Sequence, residues 1–266
     1  MVNNIERDVI LFIKLNYLSA MHLYTGWNLF KNHWQATVGS SRLGLLWKIL
    51  PSLFWCVIFL YNRRGGDSES VAIGLAIGMV IYQTITDSFR SGSYFYQNNL
   101  SLFIQNPNII HATIIQVTIE NIIDCLFKIP IIYGLLIFFT DIPLTKYWLF
   151  FFPTLPLMVF LSLALGFIFS FTSYLNRDIA QASYLVPLFI LVFTPIIFAP
   201  ENGIVSYIQH VNPFSHWLYL QKSILFKSTL EVKPFVILIL GSVSAFVLSY
   251  KFLCYTMPYV AEEVRS

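Results

Sequence analysis

Six long apolar segments constrain the fold of this chain more than any other feature of its sequence. They cover residues 43–61, 70–90, 111–139, 147–173, 181–199 and 233–257. Each segment is near or above the ~20 residues that a helix needs to cross ~30 Å of hydrocarbon. The sequence therefore predicts an all-α integral membrane protein with six transmembrane helices.

The composition supports this class. Hydrophobic residues make up 57% of the 266 residues and charged residues only 11%, which leaves too little polar surface for a soluble protein of this size. No Pro-, Gly- or Ser-rich linker divides the chain, so we predict a single domain over residues 1–266. The net charge of +3 is small and spread along the chain, which gives no reason to expect nucleic-acid binding.

The region before the first apolar segment indicates the orientation. Residues 3–30 have the periodicity of an amphipathic helix, which either lies in the membrane surface or packs against the first span. Basic residues precede or begin the first span: Arg7, Lys14, Lys31, Arg42 and Lys48. This excess favours a cytoplasmic N-terminus, and six spans would then place the C-terminus in the cytoplasm as well.

Two connections differ from ordinary turns. Residues 94–108 contain a short apolar stretch at Leu100–Ile104, with Asn98 or Asn99 as a possible cap, and end at Asn106-Pro107; this predicts a small helix on the cytoplasmic face. Residues 200–228 are too polar to span the membrane and too apolar for a free loop. They predict a helical hairpin that dips into the outer leaflet before the last span.

The third span carries three ionisable residues, Glu120, Asp124 and Lys128, at a spacing that places them on one helix face. Charged groups at membrane depth usually face a cavity or a partner charge. They could line a translocation path, or they could form an ion-pair ladder that includes Asp87 and Arg90 and fixes helix packing. The sequence leaves both possibilities open.

A dense aromatic set lies at the inner end of the second span: Phe89, Tyr94, Phe95 and Tyr96. Aromatic rings with a polar tip suit weak binding of sugar faces, which a sliding polymer would need. Core packing or an interfacial belt is the alternative that any single one of these rings favours.

We find no pattern that indicates catalysis or metal binding in the sequence. The five histidines form no ligand-spaced pair, and Cys56, Cys125 and Cys254 lie in apolar segments without paired spacing. No phosphate-binding loop is present. We therefore expect no catalytic, cofactor-binding or metal-binding residues, and a nucleotide that powers transport would have to bind another chain.

The stretch from Lys31 to Pro51 resembles the entrance motif of permease subunits of type-2 ABC exporters. The matching positions are Ser41, Leu43, Gly44, Trp47 and Pro51, although His33-Trp34 stand where a tyrosine is usual. The pairs Asn106-Pro107 and Asn212-Pro213 also resemble this family. The size and the order of segments are similar to the branch that exports O-antigen, capsule or teichoic-acid chains.

The resemblance implies a homodimer that lines one path for a lipid-linked glycan in the bacterial cytoplasmic membrane. Two copies of a cytoplasmic ATPase would bind ATP and Mg²⁺, and this chain would hold no cofactor and perform no covalent chemistry. The implied ATPase-coupling residues are Asn98, Asn99, Leu100, Phe103, Asn106 and Pro107. Candidate residues of the substrate entrance and path are Arg42, Lys48, Phe89, Tyr94, Tyr96, Glu120, Asp124 and Lys128. Arg42 and Lys48 could also contact lipid headgroups.

Other functions remain open from sequence. A drug or small-lipid exporter of the same family would share this architecture. A membrane-embedded lipid-sugar transferase is a different class, which the absence of an Asp-x-Asp-like pair disfavours. A passive channel is disfavoured because no segment resembles a selectivity filter.

Overall fold

The computed structural model describes residues 20–41, 43–62, 69–139, 149–195, 203–224, 229 and 231–265. Nearly all of these residues are helical, and none of them lies in a β-strand. The predicted all-α class is therefore confirmed for the described part of the chain. The N-terminal 19 residues and Arg42 lie outside it.

The helices follow one another with short connections. We number them α1 (residues 20–34), α2 (Gly44–Asn62), α3 (Glu69–Ser93), α4 (Phe95–Gln105), α5 (Ile110–Phe139), α6 (Phe151–Leu175), α7 (Arg177–Ala182), α8 (Leu185–Phe193), α9 (Ile204–Val211), α10 (Pro213–Lys222) and α11 (Val232–Arg265). A wide π-helical turn, Gln35–Gly39, extends α1, and a 3₁₀ turn, Pro107–Ile109, precedes α5.

Three helical stretches within the described residues are long and apolar enough to cross a membrane: Pro107–Lys128, Phe152–Leu175 and Val232–Glu263. They fall within or around the third, fourth and sixth predicted spans, which makes the chain a plausible membrane protein. Shorter apolar helices, Leu46–Ile58 and Asp178–Phe193, lie at the first and fifth predicted spans. The full count of six crossings stays a prediction.

Helix α6 lies at the centre of the bundle and packs against both α3 and α11. Ile77 and Ile85 of α3 and Leu163 and Phe167 of α6 are completely buried. Gly92 and Gly166 lie where α3 crosses α6, and a Cβ atom on Gly92 would lie 3.0 Å from the Cα of Gly166 and 2.9 Å from the Leu163 carbonyl oxygen. The two backbones approach this closely because neither position carries a side chain, an arrangement typical of helices packed in membranes.

Successive long helices alternate in direction. Ser52 of α2 hydrogen-bonds Gln83 of α3, and Cys56 lies near the Ala76 carbonyl, so these helices are antiparallel. The contacts of α5 with α3 also run antiparallel. In contrast, α6 and α11 are parallel, since Phe160 packs against Phe246 and Phe171 against Phe252.

The two ends of the bundle carry different short helices. At one end, the Tyr96 amide of α4 donates to Ser170 Oγ of α6, and the Tyr96 hydroxyl donates to the Leu253 carbonyl of α11. At the other end, Trp217 Nε1 of α10 donates to the Thr154 carbonyl of α6. Thr154 and Ser170 are separated by about 24 Å along α6, given the rise of a helix. We call these the α4 end and the α10 end.

The predicted short helix after the second span is present, but its start was wrong. Asn98 and Asn99 do not cap it; both lie inside α4, which begins at Phe95 directly after Tyr94. Only Tyr94, with φ of −97° and ψ of 13°, interrupts the helical path from α3. The reason is that Phe95, Tyr96 and Phe103 are all buried, so packing of the earlier rings extends the helix towards its N-terminus.

The described part of α1 packs along α5. The sequence had left open whether this helix lies in the membrane surface or packs against the first span. Its Gly26 lies against Ala112 and Ile115, His22 contacts the His111 ring, and the Trp34 ring stacks on Phe127 with 5.9 Å between centroids. These contacts advance together along both helices, so α1 and α5 are parallel. Residues 3–19 of the predicted surface helix lie outside the described residues.

The segment predicted as a re-entrant hairpin contains α9 and α10 in its described part, residues 203–224. Gly203, with φ of +101°, precedes α9. The two helices meet at Asn212, whose side chain accepts a hydrogen bond from the Phe214 amide at the start of α10. The depth of this pair in a membrane stays a prediction.

Candidate functional site

Lys48 connects α2 to α5 through two carboxylates. Its ammonium lies 2.8 Å from both carboxylate oxygens of Asp124 and 3.6 Å from Glu120 Oε1. The side chain is about three-quarters buried, and its ammonium lies 4.8 Å from the centre of the Trp34 ring. In this structure the ammonium is therefore paired inside the bundle and does not reach towards lipid phosphates.

His33 brings α1 into the same cluster. Its Nδ1 lies 3.0 Å from Glu120 Oε2. The hydrogen bond to Glu120 raises the pKa of His33, and this outweighs partial burial and the nearby Lys48 ammonium, which act in the opposite direction. Glu120 is thus shared between α1 and α2, and the cluster joins three helices.

A second ion pair joins α5 to α3. Lys128 Nζ lies 2.5 Å from Asp87 Oδ2, with the lysine side chain 6% exposed and the aspartate 58% exposed. Arg90 does not belong to the pair as the ladder hypothesis proposed; its guanidinium lies 5.2 Å from the centre of the Tyr184 ring. The ionisable residues of α5 therefore form ion pairs, as one of the two hypotheses from sequence stated. Each pair joins α5 to another helix and does not run along α5 itself.

A pocket of about 460 Å³ opens beside this charged cluster, near the α4 end. Helices α1, α3, α4 and α5 all contribute to its wall. The lining residues are Leu29, Asn32, His33, Asp87, Ser91, Asn98, Asn99, Ser101, Leu102, Gln116, Val117, Glu120, Asn121 and Asp124. Sequence reasoning identified the carboxylates but missed Asn32 and Gln116, because no periodicity relates a residue of α1 to one of α5.

Hydrogen bonds hold part of the lining in place. Asn121 Nδ2 donates to Ser91 Oγ at 3.0 Å and to the Val117 carbonyl at 2.8 Å. Asn99 Nδ2 donates to the Phe95 carbonyl at 2.9 Å. Gln116 differs from these residues: its Oε1 is buried and has no hydrogen-bond partner among the described residues.

The predicted aromatic path residues are largely inside the chain. Phe89 and Tyr96 are completely buried; Phe89 packs edge-on against Phe169, and Tyr96 binds Leu253 as described above. Tyr94 is half-buried, with its hydroxyl 3.4 Å from the Ala180 carbonyl. Of the two possibilities, core packing describes these rings, so neither Phe89 nor Tyr96 is available at the surface of this chain.

The predicted coupling residues of α4 have two kinds of surroundings: some pack into the bundle and others line the pocket. Phe103 is buried, Leu100 packs against the core, and Asn106 Oδ1 accepts from the Asn108 amide beside Pro107. Asn98 and Asn99 line the pocket. Ile104 and Gln105 are exposed on the outward face of α4, whereas Gln97 Nε2 donates to the Ser173 carbonyl of α6 and Ser101 lines the pocket.

Within the described residues no group of three or more His, Cys, Asp or Glu side chains could hold a metal ion. Cys56, Cys125 and Cys254 are free thiols. The chain matches no known protein family and no curated protein closely enough to be assigned by similarity. Its function must therefore be argued from the residues and their geometry.

Proposed function

We propose that this chain is the permease subunit of a type-2 ABC exporter that moves a lipid-linked polysaccharide across the bacterial cytoplasmic membrane. Two copies would line one path, and two copies of a separate ATPase would bind ATP and Mg²⁺ in the cytoplasm. Both termini and the α4 end would face the cytoplasm. The chain would be a transporter subunit and not an enzyme.

The observation that carries the proposal is the construction of α4. Three buried rings, Phe95, Tyr96 and Phe103, fasten this 11-residue helix to the bundle. Its opposite face is exposed and includes the apolar Ile104, which is 50% exposed. A short helix that packs against the bundle on one side and has an exposed, partly apolar opposite side suits docking of a second protein. Force applied to α4 would pass directly to α6 and α11 through Tyr96.

The alternating directions of the long helices support the proposed topology. Chain passages that run back and forth between the α4 end and the α10 end are what repeated membrane crossings require. The three apolar helices described above reach the length of ~20 residues that one membrane crossing requires. The proposal adds α2, α3 and the α7–α8 pair as the remaining crossings.

Co-purification with an ATPase tests the proposal. The chain would be purified from its native membrane in mild detergent, and the intact mass of the complex would be measured. We expect a companion ATPase at two copies per two permease chains. An Ile104→Arg variant should lose the companion, because a charge would replace the exposed apolar residue on α4.

Ile204→Arg is the matched control. Ile204 is 79% exposed on α9, near the α10 end, so this variant should keep the ATPase. Recovery of the wild-type chain without any nucleotide-binding companion in several detergents would contradict the proposal and favour a membrane-embedded transferase. Equal loss of the companion in both variants would remove the docking role of α4.

A further inference from the structure

The buried carbonyl oxygen of Gln116 points to a ligand in the pocket between α1, α3, α4 and α5. Gln116 is 93% buried, and its Oε1 has no hydrogen-bond partner among the described residues. A buried acceptor without a partner destabilises the folded chain. Gln116 lines the pocket, and rotation of its amide about the Cγ–Cδ bond would turn this enclosed oxygen towards a donor bound there.

The charges around the pocket argue against an ion as the ligand. Each of its three carboxylates already faces a basic side chain: Glu120 faces His33, Asp124 faces Lys48, and Asp87 faces Lys128. A cation would have to displace these partners. An anion would meet carboxylates and no lysine or arginine among the described lining residues. A neutral polar ligand fits this balance.

The uncharged lining groups have the chemistry that recognises hydroxyl groups. Amides of Asn32, Asn98, Asn99, Gln116 and Asn121 and the hydroxyls of Ser91 and Ser101 lie along the wall. An amide side chain offers both donors and an acceptor, and each sugar hydroxyl can donate and accept. Asn121 and Asn99 are already held by other hydrogen bonds, so part of the wall is preorganised.

We infer that this pocket binds a neutral sugar unit, an inference that rests on the proposed export function and names the chemistry its substrate presents. The volume of about 460 Å³ lies within the usual range for small-molecule sites. Asn98, Asn99, Ser101 and Leu102 of α4 form one wall. Occupancy of the pocket would therefore be sensed by the same helix that docks the ATPase.

Saccharide binding to the purified full-length chain tests the inference without the ATPase. The probes are glucose, N-acetylglucosamine, rhamnose and maltotriose, with inorganic phosphate and Mg²⁺ as comparison ligands. Calorimetry and the thermal midpoint in detergent give the readouts. We expect at least one saccharide to bind and to raise the thermal midpoint, while phosphate and Mg²⁺ do neither.

The Gln116→Leu variant separates ligand binding from packing. Removing an acceptor that has no protein partner should leave the thermal midpoint of the free chain unchanged or higher. The same change should weaken saccharide binding about tenfold or more. Gln105→Leu on the outer face of α4 is the control and should keep wild-type affinity. Asn98→Ala, at an exposed lining position, gives a second test in case Gln116→Leu fails to fold.

The outcomes distinguish the source of the sugar and the two proposals. Binding of maltotriose alone would indicate a segment of a transported chain, and equal binding of monosaccharides would indicate a single terminal or free sugar. The inference is overturned if no saccharide of the panel binds, or if Gln116→Leu and Asn98→Ala both keep full affinity. If an ATPase co-purifies but no saccharide binds, the export proposal is supported and the sugar site is contradicted. If a saccharide binds but no ATPase co-purifies, the sugar site is supported and the export proposal is contradicted.

Discussion

Lys48 is the residue on which three helices depend at the α4 end. It starts on α2, binds Asp124 and Glu120 of α5, and lies over the Trp34 ring of α1. Carboxylates taken out of water are stable only while a partner compensates them. The pairing therefore explains how α5 carries two acidic residues within an otherwise apolar stretch.

Lys48→Met should destabilise the folded chain by about 1–3 kcal/mol, between the values for exposed and fully buried ion pairs. The loss arises because Asp124 and Glu120 would keep their charge without the ammonium. Thermal unfolding in detergent measures it. Lys251→Met, at an exposed position of α11, is the control and should be nearly neutral. If the double variant Lys48→Met/Asp124→Leu were no more stable than Lys48→Met, unpaired charge would not be the cause.

The contact of α1 with α5 should depend on pH through His33. Because the hydrogen bond to Glu120 raises the pKa of His33, the protonated ring stabilises the folded state. That contribution is complete below the unfolded pKa of about 6.5 and is lost as pH rises through the higher folded pKa. Hydrogen exchange of residues 20–34, corrected for intrinsic rates, should show more protection at about pH 5.5 than at about pH 8.5.

His33→Gln provides the comparison for this pH effect. The glutamine can still hydrogen-bond Glu120 but does not titrate, so the extra protection of α1 at the lower pH should disappear. Unchanged pH dependence in His33→Gln would assign the effect to another group. Glu120, Lys48 and Asp124 are the charged groups next to His33, and His22 and His111 are two further titratable rings in the contact of α1 with α5.

Spacing along the sequence identified Glu120, Asp124 and Lys128 as one face of a helix, but it could not identify their partners. Asp87 was named as a partner of the ladder, and the structure pairs it with Lys128. The pairing of Lys48 with Asp124 was missed because a sequence interval of 76 residues carries no periodic signal. A basic residue within an apolar segment, opposite unpaired acids in another segment, is the signal that could have suggested it.

At the scale of elements, the close crossing of α3 and α6 depends on two residues that have no side chain. Gly92 and Gly166 let the two backbones meet, and the buried surface around them forms the centre of the bundle. The sequence predicted both helices, but no periodicity shows that two glycines 74 positions apart face each other. Close approach is a property of the packed pair and not of either helix alone.

Gly166→Ala should destabilise the bundle by about 1–3 kcal/mol, because a Cβ atom there would lie 2.9 Å from the Ser93 amide nitrogen and force α3 away. The thermal midpoint in detergent measures the loss. Gly241→Ala is the control, since nothing lies within 4 Å of a Cβ at that position of α11. It should be neutral or stabilising by up to about 1 kcal/mol. Similar midpoints for both variants would show that the crossing tolerates a wider separation.

The fifth apolar segment shows why a continuous hydrophobic run does not guarantee one straight helix. The described residues form α7 and α8, with a break at Ser183 and Tyr184. Pro187 lies in the first turn of α8 and has no amide hydrogen to donate to the Ser183 carbonyl. The Ser183 carbonyl instead accepts from the Val186 amide at 3.2 Å, so the regular helical hydrogen-bond pattern is interrupted where the sequence predicted a single span.

At the scale of the whole molecule, hydrophobic length predicted the all-α class and the three longest apolar helices. Hydrophobic length could not predict which helices pack together or how deep each helix lies in a membrane. The reason is that an apolar face can meet lipid, another helix or a second subunit with similar free energies. Helix α11 illustrates this: only 17% of its most apolar window is buried within the described chain. Sequence periodicity therefore cannot decide which surface covers it.

The opposite locations of α4 and α9 give a test of topology. In a chain whose three cysteines are replaced by Ala, Ser101→Cys on α4 and Tyr207→Cys on α9 should react with a membrane-impermeant maleimide from opposite sides. Both positions are exposed. We expect Tyr207→Cys to be labelled in intact cells and Ser101→Cys only after the cells are opened. Ser162→Cys, completely buried in α6, should stay unlabelled in both cases.

Labelling of Ser101→Cys and Tyr207→Cys from the same side would contradict the arrangement of ends. It would also remove the cytoplasmic location proposed for α4. Labelling of Ser162→Cys would indicate that the bundle opens in the membrane.

Tyr94 alone separates α3 from α4, and this has a mechanical consequence. Because only one residue separates them, a movement of one helix is passed directly to the other. Helix α3 is 25 residues long and α4 is 11 residues long, and we treat them as the two arms of a lever. At the helical rise these arms measure about 37 Å and about 16 Å. If the pair tilts as one body by about 5°, the far end of α3 moves about 3 Å, roughly twice the displacement at the tip of α4. A small displacement of α4 would thus be amplified at the far end of α3, where Gly74 lies beside Lys222 of α10.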